Sequence, residues 1–308
     1  MNAISEEAIH PREQARSTDA PWIEFDAATF DPWRVMPVRH RLAGHPLLQP
    51  DALVALGGRL EARGSVRTHG DKAKPGTPFN SAPDMFPNQQ SATDTLRNIR
   101  DARAWLSLLN VQMDPVYRGL VAEVLDSVQP AVEARDPGMC HRSGWIFVTS
   151  PNAVTPYHFD KEHNFILQVQ GRKRIYVWDP DDTVAASEYA RDLFHRSHER
   201  YLLAWRDALR ERAHVFDVEP GQGAYMPSTS PHLVENGPEP SITASFTYYT
   251  AATRRDSLLH RAHATIRKLG IVPSPVGTKP GADAMTHAIA SMLLRRNDDK
   301  PYAEVTGT

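Results

Sequence analysis

The stretch from residue 144 to 250 constrains the fold most. It breaks into short runs rich in β-branched and aromatic residues, among them WIFVTS from Trp145, NFILQVQ from Asn164, KRIYVWD from Lys173 and SITASFTYYT from Ser241. Glycine or proline turns separate many of these runs, a spacing that suits antiparallel strands and closure into a barrel or jelly roll. Gly171–Arg172 between two runs is a hairpin signal. Within 241–250, Ile242, Ala244, Phe246 and Tyr248 share one face, while Thr243, Ser245, Thr247 and Tyr249 share the other. Only the block 186–212 departs from this texture. It is charged, with apolar residues every third or fourth position, and reads as a helical insertion.

The rest of the chain is arranged around this core. Residues 1–20 read as a disordered lead, 21–143 as a flank of helices and strands, 144–253 as the barrel with its insertion, and 254–308 as C-terminal helices. In the first flank, Leu53, Val54, Leu56 and Leu60 follow Pro50–Asp51 at helical spacing. Residues 67–92 are rich in Pro, Gly, Ser and Asn and read as a long loop, 104–109 as a strand, and Asp114–Pro115 opens a helix through about 128. Thirty-five Lys and Arg against 37 Asp and Glu give a formal charge of −2, which argues against a dedicated nucleic-acid binder. No apolar run approaches the ~20 residues of a membrane helix, and the polar opening lacks the apolar core of a signal peptide. A cytoplasmic protein is expected. Cys140 is the only cysteine, which excludes an internal disulfide or a cysteine-pair zinc site.

The sharpest chemical signal is His158-Phe159-Asp160. In an extended segment, residues i and i+2 point to one side, so imidazole and carboxylate can bind one ion together. Alone, such a triplet is as readily a surface turn. His232 follows 74 positions later, inside the turn-rich run GAYMPSTSPHLVEN. Two histidines and one carboxylate make the facial triad of non-haem Fe(II), with three coordination positions open. Lys173 shares a strand face with Ile175 and Val177. It is either buried, and then in need of an anionic partner such as a dicarboxylate, or an exposed lysine on an edge strand. Thr155 and Asn164 flank the triad segment, and both side chains can donate hydrogen bonds to an oxyanion, although turn chemistry explains either equally well.

The run from Thr155 through His158, Asp160, Asn164 and Gly171 to Lys173 resembles the JmjC/cupin-like 2-oxoglutarate- and Fe(II)-dependent oxygenases, particularly the asparaginyl hydroxylase of hypoxia-inducible factor and bacterial cupin-like proteins. Gly223, Pro227, His232 and Asn236 resemble the second cupin signature. The resemblance implies a mainly β fold, a double-stranded β-helix with flanking N- and C-terminal helices. It implies that His158, Asp160 and His232 bind iron, that Thr155 and Lys173 hold the distal carboxylate of 2-oxoglutarate, and that Asn164 lines the same pocket. On the last core strand Ser245 stands where the asparaginyl hydroxylase carries an amide. That enzyme's aromatic hydroxyl at the co-substrate has no sure counterpart, with Trp105 or Ser107 nearest its place.

The activity so implied is oxidation of a C–H bond coupled to conversion of 2-oxoglutarate to succinate, on a protein side chain or a small molecule. Competing readings are a demethylase of the same family, a non-enzymatic metal or ligand sensor on a cupin barrel, and a Zn or Mn cupin isomerase or hydrolase. The loop 67–92, with Met85 and Phe86, and the insertion 186–212 are expected to wall the mouth. His163 is the nearest further candidate for touching substrate. His141, His195, His198, His214, His260, His263 and His287 read as surface or packing residues. Apolar stripes at Leu258, Leu259 and Ile266 and at Met285, Ile289, Met292 and Leu293 either cover the barrel or, as comparable helices in related hydroxylases imply, form a homodimer.

Overall fold

Backbone alternation over 241–249 decides how the barrel is layered. In the computed structural model, which describes residues 20–294, this strand lies near the middle of an eight-stranded antiparallel sheet. The lead read over 1–20 lies, but for Ala20, outside the described residues, as does the chain beyond 294. The strands are β1 (Ile23–Glu24), β2 (Met36–His40), β3 (Val66–Gly70), β4 (Ala104–Leu108), β5 (Cys140–Thr149), β6 (Val154–His158), β7 (His163–Gln170), β8 (Lys173–Val177), β9 (His214–Val218), β10 (Gln222–Met226), β11 (His232–Asn236) and β12 (Ser241–Tyr249). The large sheet runs β1-β2-β10-β7-β12-β5-β4-β3 and faces a smaller one, β6-β11-β8-β9. This is the expected jelly roll, with both sheets antiparallel throughout.

The helices are α1 (Pro50–Glu61), α2 (Ala82–Met85), α3 (Ala92–Arg97), α4 (Pro115–Glu133), α5 (Glu188–Ser197), α6 (Ala251–Lys268) and α7 (Pro280–Leu294). Helix α4 starts where the Asp114 carboxylate accepts the Val116 N–H at 3.0 Å, with Pro115 in the first turn. It runs five residues past the expected end at 128, burying Tyr117, Leu120, Val121, Val124, Leu125, Val128 and Val132. These pack with Leu53, Leu56 and Leu60 of α1 on one face of the large sheet, against Ile242, Ala244, Phe246 and Tyr248 of β12. Thr243, Ser245 and Thr247 therefore point to the opposite, inter-sheet side. There Ile166 and Ala224 of the large sheet meet Ile175, Val177 and Val234 of the small one.

Three differences from the sequence reading matter for the site. The segment 67–92 is not all loop. It contributes most of β3, which pairs with β4, and then a short helical turn at Phe79–Ser81 followed by α2. The insertion 186–212 is one helix, α5, ended by His198 in the left-handed region, followed by irregular chain and a 3-10 turn at Asp207–Arg212. The first flank is not peripheral either, because β1 to β4 all join the large sheet. Two glycines are fixed by packing. Gly171 has φ +74°, and a Cβ there would sit 2.4 Å from the Pro240 carbonyl oxygen, while one on Gly223 would sit 2.3 Å from that of Ile166. Among the described residues, no helix is long and apolar enough to cross a membrane.

Candidate functional site

His158 ends β6 and His232 begins β11, and the two are direct partners across the antiparallel ladder. Their rings stand 4.1 Å apart. Asp160 follows two residues after His158, and its Oδ2 lies 3.5 Å from His158 Nε2 and 3.7 Å from His232 Nε2. One ligand atom from each of the three lies within 4.8 Å of the others, so they can hold one metal ion. Both histidines are buried, whereas the Asp160 side chain is 38% exposed. The cluster therefore sits at the barrel mouth and not in its depth.

Hydrogen bonding fixes the rings for this task. His158 Nδ1 donates to the Pro156 carbonyl at 2.7 Å, and His232 Nδ1 to the Ser230 carbonyl at 3.1 Å. A carbonyl can only accept, so each neutral ring carries its proton on Nδ1 and turns an Nε2 lone pair toward Asp160. Burial, followed by the neighbouring His158, pushes the His232 pKa down to about 3. Burial works to raise the Asp160 pKa, and the Arg200 guanidinium on Oδ1 works against it. Two neutral nitrogen donors and one carboxylate fit a divalent cation, and this donor set suits non-haem Fe(II).

The interior beneath the mouth is polar. Lys173, at the start of β8, is 5% exposed and shares its face with Ile175 and Val177, which excludes the edge-strand reading. Among the described residues no carboxylate or hydrogen-bond acceptor meets its ammonium, and burial alone pushes its pKa down to about 7. Thr155 Oγ1 accepts the Trp105 indole N–H at 2.8 Å. Asn164 Oδ1 and the hydroxyls of Ser107, Ser245 and Thr247 are sealed from solvent without partners. Strand alternation turns all of these to the inter-sheet side, since Phe165, Leu106, Leu108, Ala244 and Phe246 face the helices. Buried polar atoms of this kind are costly unless a ligand or water satisfies them. A small dicarboxylate fits this chemistry, with Lys173 and the hydroxyls as its donors.

Two neighbours were not legible as site residues. Arg200, from the irregular chain after α5, donates to Asp160 Oδ1 at 3.0 Å, to the Phe159 carbonyl at 3.1 Å and to Asn80 Oδ1 at 2.7 Å. Phe79 lies flat on the His158 ring, 3.8 Å between centroids and 7° between planes. It takes the covering place expected of Met85 and Phe86, and Met85 is instead half exposed. His163 does not reach the mouth. It occupies the helix-side face of β7 with Phe165 and is fully buried, where Tyr225 OH and Asp136 Oδ2 approach its ring nitrogens at 2.8 and 3.3 Å. Asp179–Asp182 forms a turn, with Asp182 accepting the Val184 and Ala185 N–H groups.

A model of the cupin-like domain family matches residues 63–254, well over half of the chain. The chain belongs to the cupin-like domain family. Comparison of the cupin-like chain with curated protein sequences gives no match. Among solved structures it is similar to Escherichia coli YcfD, at 15% identity and a TM-score of 0.44 over 88% of this chain and 67% of that one. A second structure of that E. coli protein, described as a ribosomal oxygenase, gives 17% identity and 0.43 over 86% and 64%. A third, in complex with cobalt and 2-oxoglutarate, gives 17% and 0.40 over 86% and 64%. The cupin-like chain thus spans about two thirds of the length of these structures.

Proposed function

We propose that the chain is a 2-oxoglutarate- and Fe(II)-dependent dioxygenase that hydroxylates a protein side chain or a small molecule. The observation that carries this reading is a conjunction: three convergent ligand atoms at the mouth of a cupin-like barrel, and an unpaired buried ammonium on its interior wall. His158, Asp160 and His232 would hold the iron. Iron and 2-oxoglutarate, when bound, supply oxidative decarboxylation to succinate and the oxidant for a substrate C–H bond.

The chain's own residues do the rest. Lys173 and Thr155, on the small sheet, anchor the distal carboxylate of the co-substrate, and Asn164 and Ser245 supply further polar contact from the facing wall of the large sheet. The ammonium is favoured for this role because it stands on a desolvated wall where no anion among the described residues meets it. Asp160 offers Oδ2 to the metal while Arg200 occupies Oδ1, which keeps the carboxylate single-pronged. Phe79 seals one face of His158 from water. A non-enzymatic sensor on the same barrel has no need of a co-substrate clamp, and Lys173 argues against it.

Protein supplied with Fe(II) and 2-oxoglutarate should form succinate even without prime substrate, and omission of either should abolish it. Absence of both succinate formation and iron-dependent 2-oxoglutarate binding would overturn the reading. The segment limits given above, with the core at 144–253, belong to the same proposal. So does a homodimer through the C-terminal helices: Met285, Ile289, Met292 and Leu293 leave an exposed apolar stripe on α7, whereas Leu258 and Leu259 of α6 are buried. Light scattering that reports a monomer, with Met292→Lys leaving the mass unchanged, removes the dimer.

A further inference from the structure

Lys173 is not the only enclosed cation without a carboxylate. Arg67, on β3, lays its guanidinium over the Phe79 ring, 4.3 Å from the centroid. The imidazole of His158 lies flat on that same ring at 3.8 Å. Imidazole and guanidinium therefore both rest against one phenyl ring, with the Arg200 guanidinium also over it at 5.1 Å. Arg67 is thus linked to a proposed metal ligand through Phe79, on the side formed by the segment 67–92. One of its terminal nitrogens donates to the Phe79 carbonyl, which fixes the head of the side chain but does not neutralise it. Its Nε is sealed from solvent and has no hydrogen-bond partner.

The charges around Arg67 are already committed elsewhere. Arg200 forms its ion pair with Asp160 at 3.0 Å, and Lys161 stands in the field of Glu162. Asp160 and Asp84 act on Arg67 only through space, and among the described residues neither forms an ion pair with it. Burial first, and the like charge of Arg200 second, push the Arg67 pKa down to about 10, so the group stays charged at neutral pH. A planar, partly dehydrated guanidinium with free donors matches a carboxylate in both charge and shape.

We infer that Arg67 sets substrate choice by binding a carboxylate on the prime substrate, so that the molecule oxidised is an acid. The inference rests on the oxygenase reading and deepens it. Lys173 addresses the co-substrate from the interior wall; Arg67 addresses the substrate from the rim. The carboxylate can belong to an acidic residue of a peptide or to a free organic acid of amino-acid size, and the test separates the two.

Full-length protein is loaded with Mn(II) and 2-oxoglutarate and titrated calorimetrically with matched probes. One pair consists of hexapeptide pools with Glu or Gln fixed at the third position and uncharged residues elsewhere. The other pair is N-acetylglutamate amide and N-acetylglutamine amide. In at least one pair the Glu member should bind about tenfold or more tighter than the Gln member. Arg67→Gln should erase that preference and Arg67→Lys should keep part of it. Equal binding of the members in both pairs, no binding of either Glu probe, or a preference that survives Arg67→Gln each overturns the inference. Should Arg67→Gln fail to fold by circular dichroism, wild type and Arg67→Lys decide, because a preference undiminished by the lysine also overturns it. Failure of wild type to form succinate would instead sink the oxygenase reading, and the Glu preference, being a binding result, is scored independently of it.

Discussion

Two places in this molecule put an aspartate among histidines and an arginine, and they do opposite things. At the mouth, Asp160 has His158 and His232 at 3.5 and 3.7 Å and Arg200 at 3.0 Å. Between α5 and α6, fully buried Asp192 has His260 Nδ1 at 2.7 Å, Arg267 Nε at 2.6 Å and His263 at 4.0 Å. Here His260 and Arg267 make finished hydrogen bonds to the carboxylate, donor to acceptor, and these hold two helices together. His195, stacked on His260 at 4.8 Å, extends it. In the first set the imidazole protons are spent on backbone carbonyls, so acceptors converge on acceptors at distances too long for hydrogen bonds. Composition does not separate a structural cluster from a metal-binding one. The direction in which each ring spends its proton does.

Substitutions at the two aspartates test that distinction most severely. Asp160→Ala should remove measurable Co(II) binding, read by titration of the visible absorption band, and cost little stability, because Asp160 is 38% exposed and Arg200 keeps its bonds to the Phe159 carbonyl and Asn80. Asp192→Ala should do the reverse. It leaves His260 and Arg267 without their buried partner, at a cost of about 3–5 kcal/mol in urea unfolding, while Co(II) still binds one per chain. Equal behaviour of the two variants would dissolve the comparison.

Smaller effects sharpen it. Lys173→Ala should weaken 2-oxoglutarate binding by about tenfold to a hundredfold in calorimetry and leave Co(II) affinity intact. Arg200→Ala should weaken Co(II) binding by about tenfold and alter its absorption band as Asp160 becomes free to bind through both oxygens, with Arg200→Lys intermediate. The smallest effect concerns pH. The folded pKa of Lys173, about 7, lies below that of an unfolded lysine. Between these values the unfolded chain binds more protons, so stability without co-substrate should rise from pH 7 toward 10. Lys161, pushed down to about 8 mainly by burial, adds in the same direction. The part owed to Lys173 is therefore the flattening seen in Lys173→Met by urea unfolding at pH 7.5 and 9.5.

Much of the barrel was legible because alternation is a local signal. β12 needed only its own ten letters, and Lys173 stood out as a cation inside an apolar alternation. The His158–Asp160 pair was visible for the same reason. β3 was not, because VRTHG pairs with one neighbour only and carries little apolar pattern. Arg200 sits in a block of charge that reads as a solvated face, and its target lies 40 residues away in sequence. Phe79 lay in a stretch whose composition promised only turns. What escaped notice was whatever depended on a distant partner and left no periodicity behind.

The direct pairing of His158 with His232 across β6 and β11 carries an evolutionary consequence. The spacing of these ligands is inherited from the backbone ladder and not tuned by either side chain. A one-residue deletion between Pro227 and Pro231 that slipped the register would throw the second imidazole to the outer surface and end metal chemistry at a stroke, with the hydrophobic layers largely able to survive. Lineages of this barrel can therefore lose catalysis far more easily than they lose shape.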